Sequence, residues 1–204
     1  FNGKPLIYWT INQLQKSKVC DEIWVSSDDD KILNIAKKNK VKIIKRPKKF
    51  SSDQSTSEEA WIHAIKKIDT KINLNDEDIF IAPQVTSPIR HKYDFRNALN
   101  LFKLEEYDSL FSANMINDYF IWSFKKKLKS LNYNYKKRSL RQNIDLKFHE
   151  NGSFYIFKKK IIIKNRNRLG GKIGVYDMPE YKSLQIDKLE DIKLCESVFN
   201  SFIK

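Results

Sequence analysis

Cysteine is almost absent: Cys20 and Cys195 are the only two in 204 residues, far apart and without C-x-x-C spacing. That excludes a disulfide framework and a cysteine zinc site. Cys195 falls on the apolar stripe of a helical pattern, and both residues read as inert core thiols. Long hydrophobic runs are also missing. No apolar stretch approaches the roughly 18 residues of a membrane span, and no signal-peptide pattern opens the chain. The expectation is a cytoplasmic protein with no membrane partner. Internal repeats and low-complexity linkers are absent too. Acidic residues are too few to balance the basic ones, 25 against 39, leaving a formal charge of +14.

Such an excess ordinarily points to nucleic acid or to an anionic substrate. The lysines, however, are spread along the chain in groups such as Lys37-Lys38, Lys48-Lys49, Lys125-Lys126-Lys127 and Lys158-Lys159-Lys160. No nucleic-acid recognition motif accompanies them. The charge reads as a solvated surface that also attracts an anionic nucleotide, and a nucleic-acid binder using the tyrosines at 133 and 135 is a remote alternative.

What is present is apolar residue enough, 41% of the chain, to build one core. Strand-like runs over 22–26, 41–44, 79–82, 108–113, 119–124, 151–157, 174–178 and 183–187 alternate with helical patterns. Ile7, Ile11 and Leu14 form one such stripe, Ile32, Ile35 and Ala36 a second, and Trp61, Ile65 and Ile68 a third. Phe95, Ala98, Leu99 and Phe102 repeat at i, i+3, i+4, i+7, and Ile192, Cys195, Phe199 and Phe202 line a last helix. This alternation predicts an α/β fold with a mostly parallel sheet flanked by helices on both faces. Residues 125–147 are basic, polar and weakly periodic, and read as an excursion from the sheet.

Polar punctuation marks the candidate sites. Asp28-Asp29-Asp30 precedes a helix and suits its macrodipole, with a metal role as the alternative. Thr56 and Glu59 have capping-box spacing, and His63, on the helix that follows, has no partner at ligand spacing. The organising stretch is Gln84-Val85-Thr86-Ser87-Pro88-Ile89-Arg90, directly after the apolar Ile79-Phe80-Ile81-Ala82. Ligands of open α/β sheets bind beyond the carboxyl ends of strands, and this loop offers an amide, hydroxyls and a guanidinium there. Read structurally, Ser87-Pro88 would instead cap the next helix.

Taken together, these stretches resemble the acylneuraminate cytidylyltransferase family, the CMP-sialic acid synthetases and relatives acting on other nonulosonic acids. The resemblance rests on Gly3-Lys4-Pro5-Leu6-Ile7, Val25-Ser26-Ser27-Asp28-Asp29, Arg46-Pro47 with Ser52-Asp53 and Ser55-Thr56-Ser57, and Gln84 to Arg90. It continues through Arg141-Gln142, Asn151-Gly152 with Tyr155, and Ile186-Asp187 with Glu190-Asp191.

The resemblance implies a Rossmann-like nucleotidyltransferase, a single domain over 1–204. It also implies a dimerisation or substrate-closing excursion near 114–150. It further implies transfer of CMP from CTP to the anomeric hydroxyl of a nonulosonic acid, with Mg²⁺ and in a homodimer. Arg46, Ser52, Asp53 and Ser55 would then bind the nucleotide, and Gln84, Thr86, Ser87, Arg141 and Tyr155 the sugar acid. Asp187 would hold Mg²⁺ and act with Arg90 in catalysis.

Two features depart from the family pattern. Gln185-Ile186-Asp187 stands where sialate-type members read Asp-Ile-Asp, and the first strand with its P-A-R-x-G-S-K-like triphosphate loop does not precede Phe1. The latter leads to the expectation of an N-terminally truncated chain. The 3-deoxyoctulosonate enzymes, which place Q-G-D-E-P at the position of Gln84 to Pro88, are an alternative. A glycosyltransferase using Asp28 to Asp30 as a metal motif is another.

Overall fold

The computed structural model describes residues 1–52, 54–116, 120–137, 140 and 146–203. Six strands form the body. β1 (Trp24–Ser27) and β2 (Lys42–Lys45) pair in parallel, with Val25 opposite Ile43. β3 (Ile79–Pro83), β4 (Ser109–Ile116), β7 (Lys147–Lys158) and β8 (Ile173–Asp177) make a four-stranded sheet in the order β3-β7-β4-β8. β4 and β8 are parallel, whereas β7 runs against both β3 and β4. The sheet is thus mostly parallel, as expected, with one reversed strand inserted. The connection explains the reversal. β3 reaches β4 through a helix, which returns a strand in the same direction, but β7 is reached through a hairpin, β5 (Trp122–Phe124) with β6 (Leu128–Ser130).

Helices cover both faces. α1 (Leu6–Ser17) and α4 (Lys92–Leu104) lie on one side, where Leu14, Phe95, Ala98 and Phe102 pack on Leu110, Phe154 and Ile156. α3 (Ser57–Ile72) and α5 (Lys159–Asn165) lie on the other, with Ile62, Ile65 and Ile162 against Ala82, Tyr155 and Phe157. Phe154 and Tyr155 go to opposite sides because successive side chains of a strand alternate. α2 (Asp30–Lys38) covers β1 through Leu33 and Ala36, and α6 (Leu189–Phe202) closes the molecule through Cys195 and Phe199 against Ile89 and Ile186. No helix among the described residues is long and apolar enough to cross a membrane.

One local expectation holds and two change. The Thr56–Glu59 box is present, with Glu59 N–H donating to Thr56 Oγ1 at 3.2 Å and Thr56 N–H to Glu59 Oε2 at 3.0 Å. Ser87-Pro88 caps nothing: α4 begins four residues later, where Asp94 Oδ2 accepts the His91 N–H at 2.7 Å. The run over 183–187 is a 3₁₀ turn (Glu180–Ser183) and a loop rather than a strand, so Asp187 does not sit at a strand end. α5 is the short helix that the basic-apolar run Lys158 to Lys164 did not announce.

Candidate functional site

The loop beyond β3 is held from beneath by a buried cation. Arg90 is fully buried, and its guanidinium donates to the carbonyls of Gln84 (3.1 Å) and Ser153 (2.6 Å), to Thr10 Oγ1 (3.0 Å) and to Gln13 Oε1 (3.2 Å). Desolvation draws its pKa down to about 9, opposed by the charge of Asp94, which still leaves it cationic at neutral pH. Gln13 Nε2 in turn donates to the carbonyls of Pro88 (2.8 Å) and Arg90 (3.0 Å). Arg90, expected to act in catalysis, is therefore a pin that joins the end of β3 to the middle of β7, because its hydrogen-bonding capacity is committed inside the fold. One helical turn on, Asp94 is buried against Lys182, with Nζ 2.8 Å from both carboxylate oxygens.

Three chain segments meet above this pin. Gln84 N–H donates to Ser153 O (3.0 Å), Ser87 Oγ to Gly152 O (3.5 Å), and Ile186 N–H to Thr86 O (2.8 Å). Gln84 and Thr86 are half-buried and Ser87 is buried. Gln185 Nε2 donates to Asn151 O at 2.9 Å, while Asn151 is locked by Ser112 Oγ (2.7 Å) and the Ser153 N–H (3.0 Å). Asp187 follows on the same loop with an exposed side chain. Its neighbour Asp191 is engaged as a helix cap, accepting the N–H groups of Asp187 (3.0 Å) and Lys188 (2.8 Å). Among the described residues no group of three His, Cys, Asp or Glu side chains is placed to hold a metal. Asp187 is the carboxylate left free in this loop, a donor set that fits a hard cation taking one carboxylate, with phosphate and water for the rest.

Tyr155 lies on the α3 side of β7, opposite Ala82 and Phe111 in register. Its hydroxyl donates to Glu150 Oε1, and desolvation, then that carboxylate, pushes its pKa up to about 12. The guanidinium carbon of Arg168 lies 4.4 Å from the Tyr155 ring centre and 4.7 Å from that of Trp61, and Arg168 Nε donates to Glu58 Oε1 at 2.6 Å. A cation against two neighbouring aromatic rings gains from both quadrupoles. Arg168 thus ties the first turn of α3 to Tyr155.

The predicted nucleotide residues form a separate cluster at the ends of β1 and β2. Arg46 Nε donates to Ser51 Oγ (3.0 Å), its Nη2 lies 3.8 Å from Asp28 Oδ1, and Ser52 Oγ is 2.9 Å from Ser55 Oγ. Asp53, Arg141 and Gln142 lie outside the described residues. His63 packs its ring 5.0 Å from Phe50, with Nδ1 buried and without a hydrogen-bond partner among the described residues. Desolvation, then Lys67, Arg46 and Lys49, lowers its pKa. Of the three aspartates, Asp29 caps α2 by accepting the Lys31 N–H at 2.6 Å, Asp30 pairs with Lys45 Nζ at 2.5 Å, and Asp28 lies near Arg46. Among the described residues the three form no cluster placed to hold a metal.

Sequence reasoning missed Thr10, Gln13, Lys182 and Arg168. Thr10 and Gln13 were detectable as polar residues on the buried stripe of α1, beside Ile11 and Leu14. Arg168 and Lys182 carry no local signal, since their partners are 110 and 88 positions away.

The family profile described as cytidylyltransferase matches residues 1–201. The chain is 34% identical to an N-acylneuraminate cytidylyltransferase of Oncorhynchus mykiss over 192 residues, covering 91% of this chain and 42% of that protein. A Streptococcus agalactiae protein of the same name is 24% identical over 194 residues, 93% of this chain and 46% of that one. The chain therefore spans less than half the length of these curated relatives.

Among solved structures, 4-diphosphocytidyl-2C-methyl-D-erythritol synthase from Anaerococcus prevotii superposes with a TM-score of 0.66 at 16% identity, over 97% of this chain and 87% of that one. A CMP:2-keto-3-deoxy-manno-octonic acid synthetase complexed with CTP gives 0.66 at 12% identity, over 98% and 89%. At such identities the likeness speaks for the nucleotidyltransferase fold alone. With the profile match running from end to end of the three converging segments, the chain belongs to the cytidylyltransferase family.

Proposed function

We propose that the protein transfers CMP from CTP to the anomeric hydroxyl of a nonulosonic acid, releasing pyrophosphate. The observation that carries this reading is the meeting of Gln84–Ser87, just beyond β3, with Asn151–Gly152, at the irregularity within β7, and Gln185–Asp187, in a chain of this family. In the reaction the sugar oxygen forms a bond to the α-phosphorus, the bridging bond to the β-phosphate breaks, and the hydroxyl proton leaves. Such chemistry is governed by positioning and charge neutralisation.

In this reading Arg46, Ser52, Asp53 and Ser55 hold the cytidine nucleotide, and Gln84, Thr86, Ser87 and Arg141 bind the sugar acid. Tyr155, whose hydroxyl is spent on Glu150, contributes its ring and fixes that carboxylate rather than binding sugar through its phenol. Asp187 holds Mg²⁺, which when bound neutralises phosphate charge.

The exposed apolar residues Phe124, Leu128 and Leu131 of the β5–β6 excursion are the surface for a second copy. The test is pyrophosphate release by the intact protein with CTP and a panel of sialic, legionaminic, pseudaminic and 3-deoxyoctulosonic acids. Release with a nonulosonic acid is the expected result; turnover of 3-deoxyoctulosonic acid alone would move the assignment to that class, and no turnover would overturn it.

A further inference from the structure

Two side-chain amides from different loops converge on Gly152. This glycine has φ +66°, and a Cβ there would stand 3.0 Å from both Gln84 Oε1 and Gln185 Nε2. Two atoms each 3.0 Å from one point are at most 6 Å apart, so the amides face one small space. The backbone of Gln185 is fixed on both sides, its carbonyl by Cys195 Sγ at 3.8 Å and the next N–H by Thr86 O at 2.8 Å.

The side chain of Gln185 is fixed by the carbonyl of the fully buried Asn151. That carbonyl calls for a donor: a carboxylate at 185 would set acceptor against acceptor. The side chain of Gln84, by contrast, makes no hydrogen bond among the described residues, so both its donors and its acceptor are available.

We propose that Gln185 is a specificity residue, forming with Gln84 a neutral amide clasp over Gly152. The clasp receives an acylamino substituent of the sugar acid, and Gln185 takes no part in metal binding. This rests on the sugar-activating reading above. The chemistry is complementary: an acylamino group offers one donor and one acceptor, which the carbonyl oxygen and amide N–H groups of Gln84 and the remaining N–H and oxygen of Gln185 can meet as a pair, whereas a hydroxyl-only sugar offers neither a planar partner nor the paired contacts. A charged substituent would find no counter-ion here, because the nearest carboxylate in the loop is that of Asp187, two residues on.

The experiment compares the intact protein with its Gln185→Met, Gln84→Met and Gln185→Glu variants. Each is given one nonulosonic acid with its acylamino group and the same acid with a hydroxyl in that place. The wild type should favour the acylamino acid by about tenfold or more in kcat/KM, the worth of one net hydrogen bond of about 1.4 kcal/mol. Gln185→Met and Gln84→Met should each bring that ratio close to unity with KM for CTP unchanged. Mn²⁺ binding, followed by electron paramagnetic resonance, should be unchanged in Gln185→Met and weakened in Asp187→Asn. Thermal melting of each variant checks folding.

Turnover without acylamino preference, a preference that survives Gln185→Met, or Mn²⁺ binding that falls with Gln185→Met would each overturn the clasp. They would leave the sugar-activating reading standing. No turnover by the wild type with either acid, or with any of the panel, would overturn both.

Discussion

At the scale of single residues, the molecule depends on polar side chains placed where apolar ones would be ordinary. Arg90 has no carboxylate in salt-bridge contact among the described residues, yet it satisfies two main-chain carbonyls and two side-chain acceptors. Replacing it by Met leaves Thr10 Oγ1 and Gln13 Oε1 without this donor, while the Ser153 and Gln84 carbonyls keep only the N–H groups of Gln84 and Ser87. At about 1–3 kcal/mol for each unsatisfied buried group, Arg90→Met should cost about 2 kcal/mol or more in chemical denaturation, with activity falling alongside stability. Arg90→Lys should recover only part, since an ammonium cannot reproduce the planar fork.

The thiols provide a pH test. Burial, then Asp21 or Asp191, pushes the pKa of Cys20 and of Cys195 from 9.0 to about 11. The unfolded chain loses these protons near pH 9 while the folded chain keeps them. The folded state therefore binds more protons in between, and stability should fall as pH climbs from 9 to 11. Denaturation midpoints over that range measure it, and the double Ser or Ala variant should show a shallower fall.

At the scale of elements, α3 connects the two halves of the site. Its first turn follows the loop proposed to hold the nucleotide, is closed by the Thr56–Glu59 box, and reaches Tyr155 through Glu58 and Arg168. Thr56→Ala should lower stability by about 1 kcal/mol, the usual loss for a removed cap. Arg168→Met removes both the ion pair and the stacking, so it should raise KM for the sugar acid and for CTP together, and Arg168→Lys should not restore it. An effect confined to one substrate would show that α3 does not couple the two clusters.

The β5–β6 hairpin offers little to the core and exposes Phe124 at 75% and Leu128 at 65%, an arrangement that suits a partner surface. Gel filtration of the intact protein should give a dimer, and Phe124→Glu with Leu128→Glu a monomer that stays folded. A clean wild-type monomer would remove this surface from the proposal.

At the scale of the whole molecule, the boundary between what the sequence determined and what the tertiary structure decided follows distance along the chain. Periodicity placed the helices, as the stripes of Ile11 and Leu14, Ile65 and Ile68, and Phe95 and Phe102 show, because one helix face is set by neighbours three and four apart. The capping box and the aspartates at the start of α2 were legible for the same reason. The loop from Gln84 to Arg90 could be named a site from the apolar run before it.

The sequence could not tell that Arg90 turns inward, that β7 runs against its neighbours, or that the 183–187 run is a loop. Nor could it show that Gln185 faces Gln84 across Gly152, or that Arg168 rests against both Trp61 and Tyr155. Each of these depends on partners brought together by the packing of the sheet and its helices, and a side chain's exposure and charge environment are properties of that packing. Sequence determined which groups are available for the chemistry. The tertiary structure decided which of them are committed to holding the loops and which, Gln84 and Asp187 foremost, remain free to meet a ligand.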